Sequence, residues 1–141
     1  MKIEKMSFED IDQVMELAHQ LGYPNSRTEI KNRFELIQDH PDYALFVAKT
    51  SRVVGFIQIN LEPVTLLIGT RADVAAFVID EQHRGQGIGK QLLKQAEEWA
   101  REKSIPLVRI RSNVKREDTR RFYLREGYEL SKIANFFTKK I

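Results

Sequence analysis

Val78 to Lys90 runs from an apolar strand into a turn with glycine at positions 85, 87 and 89, and then directly into an amphipathic helix. Glycines at alternate positions remove the side chains that would hold a ligand off the main chain. The helix behind them points unpaired N–H groups and the positive end of its dipole at the same spot. Such a device binds anions, and a diphosphate is its natural guest. Spacing separates the competing glycine-loop chemistries. A Walker loop requires glycine in place of Arg84 and Ser or Thr in place of Gln91, whereas a dinucleotide fingerprint requires glycine in place of Lys90. An ordinary strand-to-helix turn needs only one or two glycines. What remains is Arg-Gly-x-Gly-x-Gly from Arg84 to Gly89.

A second block, Arg116 to Tyr128, carries Phe122-Tyr123 and, after three residues, Gly127-Tyr128. Two carboxylates stand at strand ends in this reading, Glu62 on a polar strand face and Asp73 at the start of the strand that leads to the glycines. The three histidines give no metal-ligand spacing, with His83 read as a packing residue beside Arg84 and no metal expected.

These residues need elements to hold them. The periodicity predicts a strand over Ile3–Met6 and a helix from Phe8 with Ser7 as N-cap. A second helix follows, capped by Ser26 and stopped by His40-Pro41-Asp42. Tyr43–Ala48 and Arg52–Glu62 read as an antiparallel hairpin. The second of these strands is two-faced, with Ile57, Ile59 and Leu61 opposite Gln58, Asn60 and Glu62. Pro63–Arg71 is a connection. Asp73–Ile79 is a nearly continuous apolar strand of the kind covered on both faces. Ile88, Leu92, Leu93, Ala96, Trp99 and Ala100 form one stripe of the helix after the glycines. Leu107–Arg111 is the next strand, Arg116–Glu126 a helix ended by Gly127, and Tyr128–Ile133 with Asn135–Lys140 a closing hairpin. The fold class is therefore α/β (α+β), a mixed and mostly antiparallel sheet of six to seven strands with helices on both faces.

The chain has 141 residues, 23 Lys and Arg, 20 Asp and Glu, a net charge of +3 and no cysteine. Its length predicts a single domain over residues 1–141. The interleaved charges argue against a nucleic-acid partner. No run approaches the roughly 18 apolar residues of a membrane span, so no membrane partner is expected and a cytoplasmic location is. The absence of cysteine removes a thiol nucleophile and a covalent acyl-cysteine route.

The loop Arg84–Lys90 resembles the acyl-CoA diphosphate loop of the GNAT superfamily of N-acetyltransferases. The Phe-Tyr-x-x-x-Gly-Tyr block is similar to that family's terminal motif, and the likeness of layout spans nearly the whole chain. The resemblance implies acetyl-CoA as cosubstrate. Arg84, Gly85, Gln86, Gly87, Ile88, Gly89 and Lys90 would hold the diphosphate. The main chain of Phe77, Val78 and Ile79 would pair with the pantetheine arm as a further strand, which requires this strand to part from Leu107–Arg111. Asn113, Arg116, Thr119 and Phe122 are further cofactor candidates, with Phe122 also read as plain packing. Arg116 stands where the family often has asparagine, and either grips a phosphate or is a solvated helix-start arginine. Tyr123 falls where the family's tyrosine lies beside the cofactor sulfur and is the candidate acid. Glu62 and Asp73 are candidates for the base, acting directly, through water, or by binding a cationic amine. The activity implied is acetyl transfer to a primary amine of a small molecule or peptide, the alternative being a catalytically silent CoA-binding sensor. A homodimer through an edge strand near the C-terminus is a further expectation.

Overall fold

The computed structural model describes residues 1–112 and 117–141. Among these, five strands form one sheet in chain order: β1 (Lys2–Lys5), β2 (Tyr43–Lys49), β3 (Val53–Glu62), β4 (Arg71–Ile79) and β5 (Val108–Ile110). The first three junctions are antiparallel and the last is parallel. A parallel neighbour needs a crossover, and the helix after the glycines, Ile88–Glu102, supplies it. The other helices are α1 (Ile11–Gln20), α2 (Arg27–Ile37) and α4 (Glu117–Arg125), so the crossover helix is α3.

Local chemistry sets the helix starts. Ser26 Oγ accepts from the Glu29 N–H at 3.1 Å, while the Ser26 N–H donates to Glu29 Oε1 at 3.1 Å, a reciprocal cap. Before α1, a single tight turn over Phe8–Asp10 replaces the regular helix expected from Phe8. The buried Asp10 carboxylate is fixed there by the Ser7 N–H at 2.8 Å and Lys49 Nζ at 2.7 Å, and the α-helix begins only after it.

The two sheet faces are covered by different helices. Val47, Phe56 and Val78 are cross-strand partners on one face and pack with Val14 and Leu17 of α1. Across the sheet, Ile88, Leu92, Leu93, Ala96 and Ala100 of α3 are buried, and Leu92 presses on Gly55. A Cβ on Gly55 would stand 2.9 Å from Ile79 Cδ1, 3.0 Å from Leu92 Cδ1 and 3.2 Å from the Val78 carbonyl, so the close approach of α3 depends on this glycine.

β4 departs from the expected uniform apolar strand in two ways. Its first four residues, Arg71 to Val74, are buried, but Ala75 is exposed. The register with β3 also shifts there, with Gln58 opposite Ala76 and Ile59 opposite Val74, so Ala75 is a bulge residue.

The chain divides into two compact units, Met1–Ile110 and Arg111–Ile141. The second contains α4, closed by Gly127 at φ 92°. The hairpin expected over Tyr128–Ile133 and Asn135–Lys140 is not formed, and no strand occurs among residues 128–141. Leu130, Ile133, Phe136 and Phe137 are all more than half exposed, so the apolar spacing that reads as a strand has no ladder to join.

Candidate active site

The glycine turn is built by backbone conformation. Gly85 and Gly87 adopt φ of 78° and 82°, where a side chain would be strained, and a Cβ on either would enter open space. Gly87 is also the N-cap of α3, and its carbonyl accepts the Gln91 N–H at 3.2 Å. The amides of Ile88, Gly89 and Lys90 lie in the first turn, where no carbonyl exists one turn earlier within the helix. Ile88 is buried and anchors the turn, while Arg84, Gly85, Gln86, Gly87 and Lys90 are exposed.

The approach to this turn is braced by a network the sequence reading missed. Asp80 Oδ2 is 2.9 Å from His83 Nδ1, and Asp80 Oδ1 accepts from Gln20 Nε2 at 3.2 Å. Gln20 Oε1 in turn accepts the Glu81 N–H at 3.2 Å, tying the end of α1 to the turn. Burial pushes the Asp80 carboxyl up, but hydrogen bonds from Gln20, His83 and the Gln82 main chain outweigh it and hold it below the usual value of 3.8. His83, read as packing, is thus a hydrogen-bonding residue, a role that only the fold reveals.

The β4–β5 ladder pairs Ala72 with Val108, Asp73 with Arg109 and Val74 with Ile110, and stops there. β4 continues past it through Ala75 to Ile79 and, after a single tight turn over Glu81–His83, reaches the glycine turn. Phe77, Val78 and Ile79 lie on this stretch beyond the ladder, where the two strands no longer pair.

A polar face spreads from the same region. Gln58, Asn60 and Glu62 of β3 stand opposite Ala76, Asp73 and Arg71 of β4. Gln58 Nε2 donates to Asn60 Oδ1 at 2.9 Å. Asp73, 7 % exposed, accepts from Arg109 Nε at 3.0 Å and Nη2 at 2.9 Å. The Asp73 carboxylate, with Glu62 adding a weaker pull, raises the already high Arg109 pKa against the opposing effect of burial. Glu62 is half-buried and lines a cavity of about 250 Å³ with Asp42, Leu61, Pro63, Val64 and Thr70. The structure therefore brings Glu62 and Asp73 to one face, and commits Asp73 to a bidentate ion pair that spacing could not foresee.

The remaining candidates belong to the second unit. Thr119, Phe122 and Tyr123 lie on α4 and are half-buried. The Tyr123 ring meets Phe122 and Tyr128 edge-on, with centroids 5.4 and 6.0 Å away. Its carbonyl accepts the Tyr128 N–H at 3.0 Å, so the Gly127 turn folds one tyrosine onto the other. Asn113 and Arg116 lie outside the described residues. Among the described residues no three His, Cys, Asp or Glu side chains gather as a metal site, and no helix is long and apolar enough to cross a membrane.

A glycine turn after a strand that outruns its parallel neighbour is the arrangement of this site, and comparison with known proteins gives its class. Residues 8–128 match the acetyltransferase (GNAT) family, and the chain belongs to it. It is 38 % identical over 93 residues to an aminoalkylphosphonate N-acetyltransferase of Salmonella typhimurium, a match covering 66 % of this chain and 59 % of that protein. The chain spans about three fifths of the length of the curated relatives it matches. In fold it is similar to glucosamine-6-phosphate N-acetyltransferase from Arabidopsis thaliana, with a TM-score of 0.85, 20 % identity and coverage of 99 % of this chain and 98 % of that one. It is similar also to the aminoglycoside N-acetyltransferase AAC(6')-Iy in complex with CoA, with a TM-score of 0.84, 16 % identity and coverage of 99 % and 100 %.

Proposed function

We infer that this chain transfers an acetyl group from acetyl-CoA to a primary amine of a small molecule or peptide, by direct attack within a ternary complex. The observation that carries this reading is the β4 main chain running on beyond the end of β5 and into the glycine turn. A pantetheine arm laid along residues 77–79 takes the place of a strand, while the amides of residues 85–90 receive the diphosphate. In the reaction the amine nitrogen bonds to the thioester carbonyl carbon, negative charge gathers on the carbonyl oxygen, and the carbon–sulfur bond then breaks. A main-chain N–H at Phe77 or Val78 serves as donor to that oxygen, a contribution of roughly 3 kcal/mol in comparable sites. Tyr123 returns a proton from its phenol hydroxyl to the departing thiolate.

The amine must arrive neutral. Asp73 is the nearer carboxylate along β4, but Arg109 occupies both its oxygens, which suits it to attracting an ammonium more than to removing a proton. Glu62 stands opposite Arg71, several residues further out, and takes the proton only through a chain of waters along the polar face. The name of the Salmonella relative supports an amine acceptor, and the CoA complex of the aminoglycoside enzyme supports the cosubstrate. Incubation with acetyl-CoA and a panel of primary amines, following free thiol, tests the reading. Amine-dependent thiol release is expected, whereas CoA binding without release from any amine would leave only a sensor.

A further inference from the structure

Two arginines stand on the polar face of the first unit, and they are served very differently. Arg109 is clamped by Asp73. Arg71, the first residue of β4, is only 8 % exposed, yet its Nε and Nη1 are buried without a hydrogen-bond partner among the described residues. A guanidinium taken out of water with two of its nitrogens unserved is unfavourable, and such a group calls for a partner. Arg71 faces Glu62 across the β3–β4 ladder, at the same strand end as the cavity that Glu62 lines.

We propose that Arg71 binds a distal oxyanion of an elongated amine acceptor, a carboxylate or a phosphorus oxyanion roughly 10–15 Å from the reacting nitrogen. The length follows from β4 itself, about five residues at roughly 3.3 Å from Arg71 to Ala76, shortened by the bulge. The planar fork of the guanidinium suits an oxyanion held through two hydrogen bonds. A diamine of the same length brings no hydrogen-bond acceptor to that fork. The connection over residues 63–70 leads directly into Arg71; Val64, Leu66 and Leu67 on it are more than half exposed, and its turn is closed by hydrogen bonds between Thr65 and Ile68. The proposal deepens the acyltransferase reading and rests on it.

Calorimetric binding to the full chain tests it, with a ten-carbon ω-aminoalkylphosphonate, the ten-carbon ω-amino carboxylate, the ten-carbon diamine and the two-carbon aminophosphonate. At least one long acid should bind about tenfold to a hundredfold tighter than the diamine, the scale of a charge-assisted hydrogen bond, and the tighter of the two names the acid. Arg71→Met should erase the preference without weakening the diamine. If that variant fails to fold, Arg71→Lys carries the test, with about a tenfold loss for the acid and none for the diamine. Equal binding of acid and diamine, a two-carbon acid as tight as the long one, or unchanged preference in the folded variants overturns the proposal and leaves Arg71 a strut satisfied by buried water. Thiol release with the same amines reports separately on acetyl transfer: acids bound through Arg71 but never acetylated sink the enzyme reading alone.

Discussion

Asp80 links three things with one carboxylate: the end of α1 through Gln20, the tight turn through His83, and the stem of the glycine loop. Because its folded pKa lies below the usual 3.8, its contribution to stability is present above that value and is lost as pH falls through the folded pKa. Acid titration of CoA affinity and of melting should therefore show a limb below about pH 4 that Asp80→Asn flattens, the neutral amide being unable to titrate. An unchanged acid limb in the variant would assign it to other carboxylates. Tyr123→Phe belongs to the same scale. It should lower turnover about a hundredfold or more with little change in CoA affinity, since it removes a proton donor and keeps the ring contacts with Phe122 and Tyr128. Stopped-flow turnover beside CoA titration separates the two effects.

Among elements, α3 and the sheet meet at a point where nothing larger than hydrogen fits. Gly55→Ala should cost about 1–3 kcal/mol of stability in urea unfolding, as Ile79 and Leu92 must both retreat from the new methyl group. Gly87→Ala should divide its effect differently. Its methyl meets open space, so only the strain of φ 82° is felt by the fold, about 1–2 kcal/mol, while CoA affinity falls much further. Melting and CoA titration on the two variants form a matched test. The sequence already carried the glycine turn, the α3 stripe, the two-faced β3 and the crossover, because each rests on local periodicity or turn chemistry. It did not carry the Ala75 bulge, the Asp73–Arg109 pair or the unserved Arg71, which arise from register between strands far apart in the chain. Nor could it tell that the apolar spacing after Gly127 stays outside any sheet, since a strand exists only through its neighbour.

At the scale of the whole molecule, a chain without cysteine has no thiol on which to park an acetyl group. Initial velocities with acetyl-CoA and an accepted amine should give intersecting double-reciprocal lines, and mass spectrometry after acetyl-CoA alone should find no acetylated protein. Parallel lines with a labelled side chain would replace direct attack by a relay. The family match runs through both compact units, residues 8–128, so catalysis is expected to need the full chain and to vanish when it is cut after Ile110.

The extra residue at Ala75 has a consequence for anyone splicing this strand. It acts as a half-turn of phase, letting Asp73 and Ala76, an odd number of positions apart, look toward the same side as Asn60 and Gln58. Excising that single alanine would rotate Arg71 and Asp73 toward the oily underside held by α3, inverting the chemistry of one end of the strand while its letters stayed the same.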